Sequence, residues 1–328
     1  MFGNTKGWGI SALIVVVVGA LIYFMGRPPQ ITPPTKTIPV ALSSVSEVLK
    51  DADPAKLEIK PAGTDADGHD LYVKIIDDYK ENHFRYDKYK IAATLAAEKE
   101  KPEFLQWLVD AADCNKATLF GKKPETIINY DNEQDSIVAL RQIGLFADNL
   151  GLYLITKKTN QDEANRYLKG AYILGERLYY ERLRFEELTA GSNLMTGAAA
   201  GLQREAESQH DEARVEQLQA FQKALSDYDS KLTPVWQAIS GIGGNPLNNA
   251  GDIFDVAEHS KEPMWRVEAI LKLGRMHYMI NVTPADQRGA VRVLKQLAEN
   301  ADAYPVRVAA EKARDLKVED FRKIGGGT

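Results

Sequence analysis

Residues 7–26 read GWGISALIVVVVGALIYFMG and contain no charged side chain. A helix of that length measures about 30 Å, enough to cross the hydrocarbon core of a bilayer. Lys6 and Arg27 flank the run, and Trp8 and Tyr23 stand near its ends, where amphipathic rings favour the headgroup level. A secretory signal has an apolar region of about 7–15 residues followed by a small-x-small cleavage site. Here the run ends Tyr23, Phe24, Met25, Gly26, Arg27. The expected reading is therefore a single uncleaved transmembrane anchor over 7–26, preceded by an N-tail over 1–6. A cleaved signal and a buried core helix are the alternatives; core helices seldom run this long without charge. Positive charge near the span is balanced, Lys6 and the terminal amine against Arg27 and Lys36. The short N-tail is the form of an N-in signal anchor and favours a body on the extracytoplasmic, periplasmic side.

Five prolines between Arg27 and Pro39 hold the backbone extended, so this stretch is expected to be a semi-rigid spacer, or else a disordered tether. A second irregular stretch, 51–70, carries Pro54 and Pro61. The spacer and irregular segment together span 27–70. The chain is 27% charged and 44% hydrophobic, the composition of an ordinary globular protein. Lys and Arg total 41 against 46 acidic residues, with no basic block longer than the pairs Lys122-Lys123 and Lys157-Lys158. No nucleic-acid footprint is present, and no basic amphipathic face that would lie flat on anionic lipid.

From Leu71 the apolar period is helical, and alternating strand patterns are nearly absent; the expected class is all-α, a transmembrane helix followed by a hairpin or solenoid-like helical body. Tyr72, Ile76, Tyr79, His83 and Tyr86 form one stripe. Ile137, Leu140, Gly144, Ala147, Gly151 and Leu154 form a second, ending at Lys157 and Lys158. Asn160 and Glu163 have capping-box spacing and open a third helix with Ala164, Leu168, Ala171, Gly175 and Leu178 inside. The short link between these two helices predicts an antiparallel hairpin. Ser192 is the expected cap of the next helix, in which Gly197 and Gly201 let a neighbouring backbone approach. Another stripe runs Leu218, Phe221, Leu225, Tyr228, Leu232, and Thr233-Pro234 reads as a fresh helix start. Glycines and Pro246 in 241–251 mark the expected boundary between a central domain, 71–240, and a C-terminal one, 252–324.

The C-terminal part repeats itself. Ala257, Glu258, Arg266, Val267 and Ala269 recur, shifted by 41 positions, as Ala298, Glu299, Arg307, Val308 and Ala310 (298 − 257 = 41), with Ile253 and Val256 matching Leu294 and Leu297. A period near 40 with two helices per unit is the length of HEAT or armadillo repeats. The segments 263–274 (PMWRVEAILKLG) and 305–316 (PVRVAAEKARDL) resemble the second helix of a HEAT repeat, with a Val-Arg or Arg-Val pair followed by alanines and a leucine. The family's aspartate before the arginine is replaced by Met264 and Trp265 in one copy and by Tyr304 and Pro305 in the other. The resemblance covers about 70 residues and implies an α-solenoid whose work is protein binding. Two copies fall short of the roughly three that stand alone, so the central helices must be diverged units or pack as a cap. Two unrelated hairpins matching by chance is the alternative.

Catalytic patterns are missing. His69, His83, His210, His259 and His277 include no i, i+4 pair and no HExxH. His83 lies within an apolar stripe and is expected to be a partly buried, bonded histidine. Asp65-Ala-Asp67-Gly68-His69-Asp70 fails the EF-hand pattern, since its glycine comes early and Ile76 stands where Glu is required. It reads as a solvated acidic turn. Gly241–Asn245 lacks the lysine and Ser/Thr of a P-loop. Cys114, after Asp110 and Asp113, is expected to be a small buried apolar residue rather than a nucleophile. Asn281-Val-Thr283 matches a glycosylation acceptor, but Pro284 follows and Thr283 suits a helix cap. Catalytic residues, cofactors and metal ligands are accordingly expected to be none.

These features point to a membrane-anchored, helical-repeat scaffold or adaptor that binds partner proteins. Two alternatives stay open: a structural subunit of a larger membrane complex, and a helical enzyme or small-molecule binder with a site at His83, Tyr79, Tyr86 and Asp78.

Overall fold

A computed structural model describes residues 49–128, 130, 136–240, 250–279 and 282–317. The expected anchor and the proline spacer up to residue 48, and the glycine-rich 241–249, lie outside the described residues. Among the described residues no helix is long and apolar enough to cross a membrane.

The described chain is all-helical apart from one small parallel ribbon. Its α-helices are α1 (His69–Asn82), α2 (Ala92–Ala97), α3 (Glu103–Asp113), α4 (Ser136–Lys157), α5 (Gln161–Glu181), α6 (Phe185–Gln209), α7 (Glu212–Ser240), α8 (Ala250–His259), α9 (Pro263–Met276), α10 (Pro284–Asn300) and α11 (Tyr304–Asp315). From α4 to α7, and again within α8–α9 and α10–α11, successive helices are joined by only a few residues, which forces them antiparallel. Among the described helices α1 packs on α3, α2 on α4, α4 on α5, α6 on α7, α8 on α9 and α10 on α11, and the most extensive contact joins α5 to α6. Further contacts join α1 to α4, α4 to α6, α3 to α5, α7 to α9, α8 to α10, and α9 to both α10 and α11. One apolar core runs through the pairs from Leu49 to Leu316.

The stripes read from sequence are the buried faces. Ile137, Leu140, Ala147 and Leu154 of α4 are buried, as are Ala164, Leu168, Ala171 and Leu178 of α5 and Leu218, Phe221, Leu225, Tyr228 and Leu232 of α7. The 41-residue echo also carries burial: Ile253 and Leu294, Val256 and Leu297, Val267 and Val308, Ala269 and Ala310 are all core residues. Pro263 and Pro305 both stand in the first turn of a helix, where a missing N–H costs nothing.

Several local expectations give way to packing. Asn160 does precede α5, but it sits in the left-handed region at φ 49° and makes no side-chain cap bond to the backbone. Its amide instead donates to the Glu163 carboxylate. Ser192 is buried in the middle of α6 rather than at its start. The start at Phe185 is fixed by Glu187, whose carboxylate turns back to accept from the Leu183 N–H at 2.5 Å. Thr233-Pro234 does not begin a helix; Pro234 lies inside the single helix α7 with its ring side exposed. Leu232 and Ile239, both fully buried, hold the helix to the core on either side of the one backbone bond that proline forfeits. The stripe ending in His83 and Tyr86 breaks as well, because α1 ends at Asn82 and His83–Lys90 winds as a 3-10 helix.

The strands were invisible to periodicity. β1 (Thr64–Asp67) pairs in parallel with β2 (Cys114–Lys116), in the register Thr64 to Cys114 and Asp67 to Lys116. All four β1 side chains are exposed, so no apolar alternation marks it. What positions the ribbon is α5. Arg177 donates to the Tyr72 hydroxyl at 2.7 Å, the Ala111 carbonyl at 2.8 Å and the Cys114 carbonyl at 2.5 Å. One turn on, the Glu181 carboxylate accepts from the N–H groups of Leu119 and Phe120 at 2.8 and 2.6 Å. One helix face thus satisfies backbone groups that no neighbouring strand reaches.

Candidate functional site

The residues singled out from sequence are only partly brought together. Tyr86 is buried, stacks on Tyr79 at 5.8 Å between ring centroids, and donates its hydroxyl to the Asp78 carboxylate. Desolvation, then the bonded Asp78, push the Tyr86 hydroxyl pKa up, which keeps it a neutral donor. His83 is exposed rather than partly buried, because the switch to a 3-10 helix turns it off the apolar stripe. Its ring lies 6.2 Å from that of Tyr79, and Nδ1 is 3.5 Å from the Lys80 carbonyl. Asp78, Tyr79 and Tyr86 are packing partners at the surface of the first pair, and His83 stands at their rim.

Cys114 is buried, with its thiol donating to the Asp110 carbonyl at 3.3 Å, as a small core residue does. Asp67 accepts from the His69 N–H at 3.0 Å and pairs with Lys122 at 3.0 Å; those two bonds hold its pKa below the ordinary carboxylate value. Among the described residues no group of three or more His, Cys, Asp or Glu side chains could hold a metal ion. Thr283 caps α10, its hydroxyl accepting from the Asp286 N–H at 3.1 Å.

A concavity lies elsewhere among the described residues, where α4, α6, α7 and α9 converge. It is a cleft of about 480 Å³ whose lining includes Arg141 from α4, Arg184 and Phe185 at the start of α6, Trp236 from α7, and Glu268, Lys272 and Arg275 from α9. The three α9 residues follow at i, i+4 and i+7, so one helix face presents all of them. Glu268 is the organiser. Its Oε1 accepts from the Arg184 Nε and the Phe185 N–H, both at 3.1 Å, and its Oε2 accepts from the Trp236 indole at 3.3 Å. Trp236 and Trp265 both stack on Phe185, at 5.4 and 5.5 Å between centroids. The indole wall is thereby fixed in orientation before any ligand arrives.

Charge in the cleft is unbalanced. Arg141, Arg184, Lys272 and Arg275 face Glu186 and Glu268, a surplus of two positive charges (4 − 2) on a chain whose formal net charge is −5. Lys272 is only 8% exposed. Burial, and then the cation of Arg275, pull its ammonium pKa below the ordinary lysine value. Such an arrangement favours an anion and leaves Lys272 more easily deprotonated than a surface lysine.

Sequence reasoning did not find this cleft. The signal available was Glu268-x-x-x-Lys272-x-x-Arg275, a charged stripe inside a segment read for its alanines and leucines. A charge stripe on a helix is ordinarily a solvated face, and nothing local says that α6 and α7 cover this one. Comparisons with protein-family models, curated proteins and solved structures find no match to this chain.

Proposed function

We propose that this chain is a membrane-anchored helical scaffold or adaptor that binds partner proteins at the membrane surface, without catalysis of its own. The observation that supports it best is the run of stacked helical pairs over one continuous core. A hairpin cannot bury its apolar stripe alone, and stacked hairpins give the extended surfaces that helical-repeat proteins of the HEAT or TPR kind use for docking. The uncharged run 7–26 supplies the anchor, and the prolines after it hold the body off the bilayer on the periplasmic side. Confining both partners near one membrane raises their effective concentration, so modest contacts suffice.

Two experiments test the reading. After carbonate washing of membranes the full-length chain is expected in the pellet; its recovery in the high-speed supernatant overturns the anchor. Native purification in mild detergent is expected to bring down a reproducible protein partner, and repeated purification of the chain alone overturns the scaffold role. Exchanging 7–26 for an unrelated apolar helix should leave the partner bound. Loss of the partner on that exchange moves the reading to a structural subunit whose span makes specific contacts.

A further inference from the structure

The cleft holds more positive charge than its own acids answer. Glu268 is committed to Arg184, the Phe185 N–H and Trp236. Lys272, more than nine-tenths buried and lining the cleft, has no hydrogen-bond or ion-pair partner among the described residues. Beside it, the buried Nε of Arg275 also lacks a hydrogen-bond partner. The Arg275 guanidinium, on a partly buried side chain, lies over the Tyr130 ring, so on this face of α9 two neighbouring cations line the cleft with no carboxylate paired to either among the described residues, and an anion entering beside them answers both.

We infer that this cleft is a binding site for a small organic anion, a carboxylate or phosphate ester joined to a flat apolar body, with Lys272 and Arg275 as its counter-ions and Trp236 as the wall on which the flat part rests. The ligand carries one or two negative charges, because Glu186 and Glu268 share the cleft and repel anything more highly charged. The flat body follows from Trp236, which is half-buried, backed by Phe185 and held by Glu268, so its ring is presented rigidly. Lys272 supplies a compact point charge and Arg275 a planar fork, the pair of donors that suits a two- or three-oxygen anion. The depressed pKa of Lys272 accords with a cation awaiting a partner, and a bound anion pushes it back up. This site stands independently of the docking role proposed above.

The test uses the full-length chain in mild detergent, titrated calorimetrically with benzoate, phenyl phosphate and inorganic phosphate, with tryptophan fluorescence as a second readout. Saturable binding of benzoate or phenyl phosphate is expected below about 5 mM, a free energy of only about 3 kcal/mol. Whichever aryl anion binds more tightly assigns the carboxylate or the phosphate ester. Inorganic phosphate, with no ring to stack, is expected to bind about tenfold more weakly or worse. Lys272→Gln and Arg275→Gln should each lower aryl-anion affinity about tenfold or more, the size of a lost charge-assisted bond. Trp236→Leu should weaken the aryl anions and leave inorganic phosphate unchanged. Circular dichroism checks each variant, and Arg275→Gln, at a less buried position, carries the charge test if Lys272→Gln does not fold. No saturable binding of any of the three probes, or unchanged affinity in a folded charge variant, overturns the inference. Inorganic phosphate binding as tightly as the aryl anions overturns the flat body.

Discussion

Single residues in the core of this protein show where close packing has been chosen over local comfort. Asp148 of α4 is buried, and neither carboxylate oxygen has a hydrogen-bond partner. A Cβ on Gly197 of α6 would stand 2.5 Å from Asp148 Oδ2, so the glycine makes room for that carboxyl. Desolvation raises the Asp148 pKa well above the ordinary carboxylate value. The folded state therefore holds a proton that the unfolded chain releases near pH 4, and Asp148 disfavours folding increasingly as pH rises from about 4 toward its raised pKa. Asp148→Asn, nearly isosteric and unable to ionise, is expected to stabilise the protein by about 1–3 kcal/mol at neutral pH. That gain should shrink toward zero as the pH is lowered to about 4, which urea denaturation of both proteins across the pH series will show. A pH-independent difference contradicts this account.

Backbone crossings add a second residue-scale prediction. A Cβ at Gly191 of α6 would lie 2.5 Å from the Gly175 carbonyl oxygen and 2.8 Å from the Tyr179 nitrogen of α5, both backbone atoms that cannot swing away. Gly170, also buried in α5, would place its Cβ no closer than 3.5 Å to Leu108. Gly191→Ala is expected to destabilise by about 1–3 kcal/mol through overpacking. Gly170→Ala should instead be neutral or gain up to about 1 kcal/mol of helix propensity. Thermal melts of the two variants read the contrast directly.

At the scale of elements, helix boundaries here are set by whichever group reaches the free N–H first. The Thr283 hydroxyl caps α10, as its position before Pro284 suggested, and Thr283→Ala is expected to cost about 1 kcal/mol. Amide exchange in the first turn of α10 should speed up, while the first turn of α6, held by Glu187, stays unchanged. At α5 and α6 the sequence offered plausible caps in Asn160 and Ser192, yet the chain uses a left-handed Asn160 and the back-folded Glu187. A capping residue is a local preference worth about a kilocalorie, and an interhelical fit outweighs it. For the same reason Pro234 is carried through α7, and β2, which no apolar alternation marks, is held in place by an arginine on a distant helix.

For the whole molecule, the helical pairs are not coupled only through nearest neighbours. The segment around Pro124–Thr126 leaves β2 in the first part of the chain and runs to the last pairs. Lys312 Nζ donates to the Glu125 carbonyl at 2.5 Å, Arg184 to the Ile127 carbonyl at 3.1 Å, and the buried Tyr130 hydroxyl to the Leu271 carbonyl at 3.1 Å. This strap ties α9 and α11 to the early helices, where a simple repeat array would let its end pairs fray. Tyr130→Phe is expected to cost about 1 kcal/mol overall. Its mark should be local: hydrogen exchange in α9 and α11 should rise toward sub-global opening while α4, α5 and α6 keep their protection. Uniform loss of protection across all helices contradicts a strap.

The amino-acid order by itself determined the helical class, the buried faces of α4, α5 and α7, and the antiparallel return of α5 on α4. Those follow from the 3.6-residue period of apolar side chains and from loops too short for anything but antiparallel return. The residues matched by the 41-residue echo that are apolar, such as Ile253 and Leu294 or Val267 and Val308, are buried in both copies. Only the tertiary structure decided where charges meet. Arg141, Arg184, Trp236 and Lys272 stand far apart along the chain, and each by itself reads as an ordinary residue on a helix. They become a cleft because α4, α6, α7 and α9 converge there, and the surplus of positive charge arises only once those helices bring the side chains to one place.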